Sequence, residues 1–348
     1  RVISSRLLSL ARCPDCGGSF GNDRPQVRCA RCGRVFASSG EYLVLHPGVS
    51  FAEQTKYLDE ALHADARHEH VSPPLLAAKI RNDMLRSFLS PGPSDTVIDL
   101  GCGSGRALVW NADLGAYQVG LDVSPHFAEE ARTGVDLVLG DLRRLPFGPA
   151  CFTKAYALDV AEHLSRDSLA EVLAEAARVL TPGGALFVYS HVRRNSALAG
   201  GLKAINRLAR WLERRGLVDL SRERLRKSDH LNPLADIPDL ERMVSAAGFR
   251  VSRIRYYTPL IGACVENILM RMGEHWMARR ATSAATASGG APSANDAARA
   301  ARTAAKQRLS RKGPAYVALR AVSWMMKLDL LLFGRVRSGP FFALLIKE

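Results

Sequence analysis

The sequence predicts an α/β fold: a doubly wound, mostly parallel sheet of seven strands, preceded by a small cysteine-bearing module and carrying helical insertions at one edge. Three observations lead there. From Thr96 onward, short apolar runs alternate with amphipathic segments, the pattern of strands joined by helices that cover both faces of a sheet. The first run, "VIDL", ends in the glycine-rich turn "GCGSGR", Gly101 to Arg106. Ahead of it, cysteines 13, 16, 29 and 32 make two Cys-x-x-Cys pairs.

Three regions follow. Residues 1–48 form the cysteine module and 49–95 a helical lead-in broken at "SPP" (Ser72 to Pro74) and at "PGPSD" (Pro91 to Asp95). Residues 96–348 form the sheet domain. In that domain "TVIDL", "YQVGLDV", "VDLVLGD", the start of "FTKAYALDVAEHL", "GGALFVYSH", "FRVSRIRYY" and "GPFFALLIKE" read as strands. "GRALVWNADL", "PHFAEEAR", "SLAEVLAEAARVL" and "IPDLERMVSAAG" read as helices. Insertions at 192–236 and 260–338 interrupt the alternation. Within the second, residues 281–313 are rich in Ala, Ser, Thr and Gly and read as a flexible linker.

The bulk numbers fit this layout. Hydrophobic residues make up 47% and charged ones 24%, as in a globular protein. No run of about 18 uncharged apolar residues occurs, which argues against a spanning helix. The first residues lack the apolar stretch of a secretory signal, so a cytoplasmic location is expected, with contact at a membrane surface as an extension of it. The formal net charge is +14. The excess lies beyond about residue 190, while 97–190 is acidic. That asymmetry predicts an anionic partner near the C-terminal half.

Glycines at 101, 103 and 105 allow a tight turn and a close backbone approach. The helix that follows offers free N–H groups to a ligand. Dinucleotide sites more often read G-x-G-x-x-G, and Arg106 stands where the third glycine would be, which argues against a pyrophosphate. The next strand ends in Asp122, placed to hydrogen-bond ribose hydroxyls. The third strand ends in another acid, Asp141.

The series "VIDLGCGSG", "GLDVS", "GDLRRLPF", "ALDVAEHL" and "VLTPGGALFV" resembles, in order and spacing, the class I S-adenosylmethionine-dependent methyltransferases. The likeness is to their small-molecule and ubiquinone-biosynthesis-like group, over about residues 95–191. The resemblance implies a Rossmann-like methyltransferase sheet and S-adenosyl-L-methionine as cofactor. It implies that Asp99 orients the methionine amino group and that Gly101, Cys102, Gly103 and Gly105 pack along the methionine part. Asp122 would clasp the ribose with Val123 beside it, and Asp141 and Leu142 would flank the adenine. Asp159 would lie beneath the sulfonium, with Leu158 in the same site, and Glu162-His163 matches a pair frequent in this group. The fourth strand departs from the pattern, reading Phe152-Thr153 where Phe-Asp is usual.

A methyl acceptor that carries a proton needs a base, and histidine titrates near neutral pH. His163 and Asp159 are the candidate catalytic residues, with His191 and His230 on the same edge of the sheet. Tyr256 and Tyr257 close the sixth strand and are placed to line an acceptor pocket.

Both insertions leave from the carboxyl ends of strands, where ligands of open parallel sheets bind. "ALAGGLKAINRLARWLERRG" puts Leu198, Leu202, Ile205, Leu208 and Leu212 on one stripe, with Lys203, Arg207, Arg210 and Arg214 mostly elsewhere. That is a basic amphipathic helix, suited to a lid, to an anionic membrane surface or to nucleic-acid phosphate. The second insertion repeats the choice in the helix Ala315–Phe333.

Cys13, Cys16, Cys29 and Cys32 carry the spacing that lets four thiolates meet one tetrahedral Zn²⁺. Four sulfurs leave no open position, so the metal is expected to be structural. The flanking "CPDCGG" and "RCGRVF" resemble zinc-ribbon knuckles. A zinc knuckle ahead of such a domain also resembles the bacterial 23S ribosomal RNA guanine-N1 methyltransferases. Those carry Cys-x₃-His where this chain has a second Cys-x-x-Cys. The leading expectation is a methyltransferase with a small-molecule or lipid-linked acceptor under a basic lid. RNA methylation and a non-catalytic cofactor-binding module are the alternatives.

Overall fold

The computed structural model describes residues 3–21, 27–38, 41–46, 71–194, 196–220, 224, 230–276, 279 and 313–348. The expected linker lies outside these residues except for Gly313, as does the lead-in before residue 71.

The fold is one large sheet covered on both faces. Among the described residues the strands are β1 (Val27–Arg28), β2 (Val35–Phe36), β3 (Leu43–Val44), β4 (Thr96–Leu100), β5 (Tyr117–Asp122), β6 (Asp136–Leu139), β7 (Phe152–Leu158), β8 (Leu180–His191), β9 (Phe249–Tyr256) and β10 (Pro340–Lys347). β1 and β2 pair antiparallel as a small ribbon; the other eight form a sheet of order β3-β6-β5-β4-β7-β8-β10-β9. All its pairings are parallel except those of β10, which runs antiparallel between β8 and β9. The seven expected strands are present. The eighth, β3, comes from the cysteine module: Leu43 and Val44 pair in parallel with β6, and the Leu45 amide donates to the Leu139 carbonyl at 2.8 Å. Both residues are apolar and lie where β6 would otherwise expose an unpaired edge.

The strands alternate residue by residue between two cores, as the period of two requires. Ile98, Leu100, Val119, Leu121, Ala155, Leu186, Val188, Phe341 and Ala343 face one layer. Val97, Leu137, Tyr156, Phe187, Tyr189 and Phe342 face the other. The first layer is covered by α1 (Ser5–Leu10), α5 (Arg166–Val179) and α7 (Ile237–Ala246), together with Cys13, Cys29 and Phe36 of the ribbon. The second is covered by α2 (Leu76–Leu89), α3 (Arg106–Trp110), α4 (Glu129–Gly134) and α9 (Pro314–Phe333). Burial on both faces is why the central strands read as near-continuous apolar runs.

Local signals place the helices. Ser165 caps α5 by accepting the Ser168 amide, and Asp236 caps α7 by accepting the Asp239 amide at 3.0 Å, with Pro238 in the first turn. α3 is shorter than "GRALVWNADL" suggested. It stops at Trp110, where the Asn111 backbone amide and side-chain amide share the Ala107 carbonyl at 3.2 and 2.7 Å and a 3₁₀ turn follows. α4 begins at Glu129 rather than at Pro125, after an extended Ala128.

α6 (Ala199–Arg214) forms as the periodicity predicts, but its buried stripe is narrower. Only Ala209 is fully buried; Ile205 and Leu212 flank it against Val218, Leu220 and Ile268. Leu208 lies off that stripe and is exposed. α8 (Leu260–Cys264) continues through a π-helical stretch, Val265–Met270, into residues 271–276. It packs between α6 and α9. No described helix is long and apolar enough to cross a membrane.

Candidate functional site

The parallel strands β4, β5, β6, β7 and β8 all end on one edge, and the glycine turn sits at the end of the first. Gly101, Gly103 and Gly105 have φ of 80°, 54° and 77°, a backbone region that disfavours other residues. They are not equivalent. A Cβ on Gly101 would meet Val160 at 2.7 Å and one on Gly105 would meet Ala131 at 2.6 Å, so these two are needed for packing. A Cβ on Gly103 would meet nothing within 4 Å, so that backbone borders open space. Gly120, one strand over, completes the cradle: its Cβ would strike Leu108, Cys102 and Leu137.

Asp122 ties the turn to β5. One carboxylate oxygen accepts the Gly103 amide at 2.7 Å and the other accepts the Ser124 amide at 2.9 Å. Burial pushes its pKa up, and the amides only partly oppose that. Asp99 is buried beneath the turn; burial raises its pKa well above the ordinary carboxylate value, and Asp122 adds to the rise. The Tyr156 hydroxyl is buried beside it, and its interaction with the Asp99 carboxyl opposes part of that rise. Cys102 is also raised, chiefly by burial. A buried thiol, the Asp99 and Asp122 acids and the Tyr156 hydroxyl thus converge beneath a turn whose Gly101, Cys102, Gly103 and Gly105 amides are satisfied within the protein and whose Gly103 backbone borders open space. That set suits a polar ligand with amine and hydroxyl donors.

At the end of β6, Asp141 is held by Arg143, whose Nη2 lies 2.8 Å from a carboxylate oxygen and whose backbone amide also donates to it. Leu142 leans toward Gly101. Val123 and Leu158 are half-buried on the same edge.

Asp159 follows β7 with φ of 56°, unusual for a residue with a side chain. Its carboxylate is paired with Arg81 of α2. Arg81 also lies over the Tyr189 ring, 5.2 Å from its centroid. Burial alone would lower the Arg81 pKa, but Asp159, Tyr189, Glu266 and Tyr257 around it give a net rise, so it stays cationic. Its Nε and the Tyr257 hydroxyl are buried without hydrogen-bond partners. Arg81 was not legible as a site residue: it sits in the lead-in helix outside any motif, and its only signal is a cation flanking the apolar positions Ala77, Ile80 and Leu85.

The three histidines singled out in the sequence converge. His163 and His230 rings meet edge to face, 4.7 Å between centroids, and His191 lies 6.4 Å from His230. His191 Nδ1 is 3.4 Å from the Glu162 carboxylate, which also accepts the Ser190 hydroxyl at 2.8 Å. Burial would raise the Glu162 pKa, but His191 outweighs it and the net shift is downward. Tyr256 and Tyr257 part company: Tyr256 packs with the ribbon-side core and Tyr257 faces the Arg81 cluster.

The four ribbon cysteines bring their sulfurs within 4.8 Å of one another. Cys16 and Cys29 lie 3.4 Å apart and Cys13 and Cys32 3.8 Å apart. A tetrahedral Zn²⁺ with bonds of about 2.3 Å needs sulfurs about 3.8 Å apart, so the donor set fits the metal. Burial pushes the Cys13 thiol up to about 12, whereas at Cys29 the Cys32 and Arg31 amides and the neighbouring thiols outweigh burial and bring it down to about 6. Gly18 is tight here, since a Cβ would meet the Cys29 sulfur at 2.9 Å.

Comparison with known proteins bears on the segment that carries this edge. Residues 98–188 match the family model described as a methyltransferase domain, and that segment is a class I methyltransferase domain. A sterol 4-C-methyltransferase of Caenorhabditis elegans is 33% identical over 142 residues, 36% of this chain and 42% of that protein. A Mus musculus protein named probable tRNA methyltransferase 9B is 30% identical over 134 residues, 37% of this chain and 30% of its own length. The chain thus spans less than half the length of these relatives. Among solved structures, phosphoethanolamine N-methyltransferase 2 of Haemonchus contortus is 17% identical with a TM-score of 0.48, over 85% of this chain and 59% of that one.

Proposed function

We propose that the chain is an S-adenosylmethionine-dependent methyltransferase whose acceptor, a small or lipid-linked molecule, is reached under the basic insertions. The observation that carries this reading is the Asp122 carboxylate. Each of its oxygens accepts one backbone amide and keeps lone-pair capacity for one further donor, beside a Gly103 backbone with open space in front of it. Two adjacent ribose hydroxyls fit that pair of acceptors.

The cofactor would supply an already activated methyl group. The protein's work is to position, exclude water and move a proton. Asp99 would hold the methionine amino group; Cys102 and the glycine turn would lie along that part, with Val123, Leu142 and Leu158 as apolar walls. Asp141, fixed by Arg143, would flank the adenine. Asp159 is engaged by Arg81, so the pair presents a nearly neutral surface where a sulfonium would sit. A free carboxylate base at Asp159 would first have to leave that pair. We therefore assign proton acceptance to His163, beside His230 and close to the Glu162–His191 pair. The four ribbon thiolates would hold a structural Zn²⁺.

The test is calorimetric titration with S-adenosylmethionine, followed by transfer of labelled methyl to fractionated cell extract. Binding with label in a small-molecule or lipid fraction supports the reading. Absence of binding to folded protein refutes it. RNA is the second reading, favoured by the exposed Lys203, Arg207, Arg210 and Arg214 of α6 and by the relative named as a tRNA methyltransferase. Label in RNA, with steep salt dependence of binding, would establish it instead.

A further inference from the structure

Among the described residues, every exposed large apolar side chain except Val35 belongs to the two insertions. Isolated exposed leucines are ordinary, but a concentration of this kind marks a surface that meets something apolar. α9 is the clearest case. Ser323, Met326, Asp329 and Leu330 are buried on its inner side. Its outer side shows Val317, Trp324, Met325, Leu328, Leu331 and Leu332, with Trp324 64% and Leu331 67% exposed. The continuation of α8 exposes Leu269, Met272 and Trp276 at spacings of three and four. α6 exposes Leu208 and Trp211.

Charge runs with these apolar groups. Lys203, Arg207, Arg210, Arg214 and Arg215 are exposed on α6, Arg320 on α9, and Arg335 and Arg337 just beyond it. The Arg215 guanidinium lies over Trp211, 4.9 Å from the ring centroid. The acids of the same elements are drawn inward: Asp329 accepts the Ile261 and Gly262 amides, Glu213 pairs with Arg224 and Glu274 with Arg271.

We propose that α6, α8 with its continuation to residue 276, and α9 form a face that seats this protein on an anionic lipid bilayer. Tryptophan and leucine would enter the headgroup boundary and the arginines would pair with lipid phosphates. Three alternatives fit less well. RNA satisfies the cations but offers nothing to Leu331, Leu332, Met325 and Leu269, which lack a stacking face. A second copy would bring together two strongly cationic surfaces. A spanning segment is not formed by any described helix. The insertions leave the sheet at the carboxyl ends of β8 and β9, so this seating would turn the candidate site toward the membrane.

The experiment is flotation of the full chain with vesicles of phosphatidylcholine alone, or with added phosphatidylglycerol, across a salt series. Parallel measurements are sedimentation for oligomeric state and a gel shift with structured RNA. Wild type should float with anionic vesicles and only weakly with neutral ones. Leu331→Asp with Leu332→Asp should weaken that binding on the order of tenfold or more, and Arg207→Glu with Arg210→Glu by a similar factor that shrinks as salt rises. Unchanged melting temperatures would show that the variants fold. The proposal falls if wild type ignores anionic vesicles at low salt, if folded variants float as wild type does, or if the α9 variant only dissolves a dimer. It also falls if RNA is bound and vesicles are not. None of these readouts uses methyl transfer, so a protein that floats without binding S-adenosylmethionine would overturn the proposed function and leave this inference standing.

Discussion

Replacing Asp122 by Asn tests the cofactor reading at its centre. The two carboxylate oxygens accept the Gly103 amide at 2.7 Å and the Ser124 amide at 2.9 Å. Asn keeps one acceptor but presents an NH₂ group to the other amide, leaving two donors facing each other. A ribose would lose at least one charge-assisted hydrogen bond and find the second misdirected. At roughly 1.5–3 kcal/mol each, affinity for S-adenosylmethionine should fall on the order of 10²-fold or more. Titration calorimetry on wild type and variant reads this directly, with ligand-free melting curves as the control for folding. Binding within about threefold of wild type, in a folded variant, would remove Asp122 from the ribose site and with it the main support for the reading. The pH dependence adds a second check. Burial raises the Asp122 pKa in the folded protein. Its protonated form is therefore favoured by folding, a contribution present below the ordinary carboxyl pKa and lost as pH rises through the raised value. Ribose binding needs the ionised form. Affinity should thus decline on acidification, beginning above the ordinary carboxylate range, while this group's effect on ligand-free stability runs the other way.

Three further outcomes follow from packing and charge. Gly105→Ala puts a Cβ 2.6 Å from that of Ala131 at a φ of 77°, and should cost about 2–4 kcal/mol in denaturant unfolding. Gly103→Ala has room and should cost only about 1 kcal/mol while impairing cofactor binding, so equal stability losses would contradict the distinction drawn between them. Metal analysis should find zinc in proportion to chain. Cys16→Ser or chelation should lower the melting temperature by roughly 10 °C, because the ribbon shares its core with the sheet; no bound metal would refute the site. Asp239 is 4% exposed and is held by both Arg166 Nη atoms at 2.8 Å, which keeps its pKa well below the usual value. Its stabilisation is present above the unfolded carboxyl pKa and lost as pH falls through the depressed one. Arg166→Met should lower stability at neutral pH and lower it less below about pH 4, a slope that acid titration of unfolding would show or deny.

The sheet was legible in the sequence because burial on both faces leaves apolar runs that cannot be solvated, and because strand-ending glycines and acids mark where ligands approach. Gly101, Asp122 and the cysteine pairs stood out for the same reason: their chemistry depends on fixed local spacing. What the sequence did not announce depends on distant partners. β3 is two residues long, too short for periodicity, and exists because β6 needs an edge partner. Arg81 gains its place from Asp159 and Tyr189, which share no local pattern with it. The histidines could be named but not grouped, since His230 reaches His163 from a stretch, 230–235, that belongs to no helix or strand. Leu208 belongs to the apolar stripe on a helical wheel, yet the surface that α6 covers is only wide enough for Ile205, Ala209 and Leu212.

The place of β10 constrains how the molecule is made. Phe341, Phe342, Ala343 and Leu345 have no exposed surface, and their strand lies between β8 and β9 instead of at a rim. While a ribosome is still translating residues before Pro340, β8 has a bare flank and β9 has no neighbour to join. The parallel strands β4 to β8 can assemble on the nascent chain, but β9 waits for a segment about ninety residues downstream. Until then the hydrogen-bonding edge of β8 is open to pairing with other chains. Synthesis rate and chaperone capture over that interval, more than the finished fold's stability, should govern the yield of soluble protein. A peptide of the β10 sequence supplied in trans should rescue a chain that stops short of it.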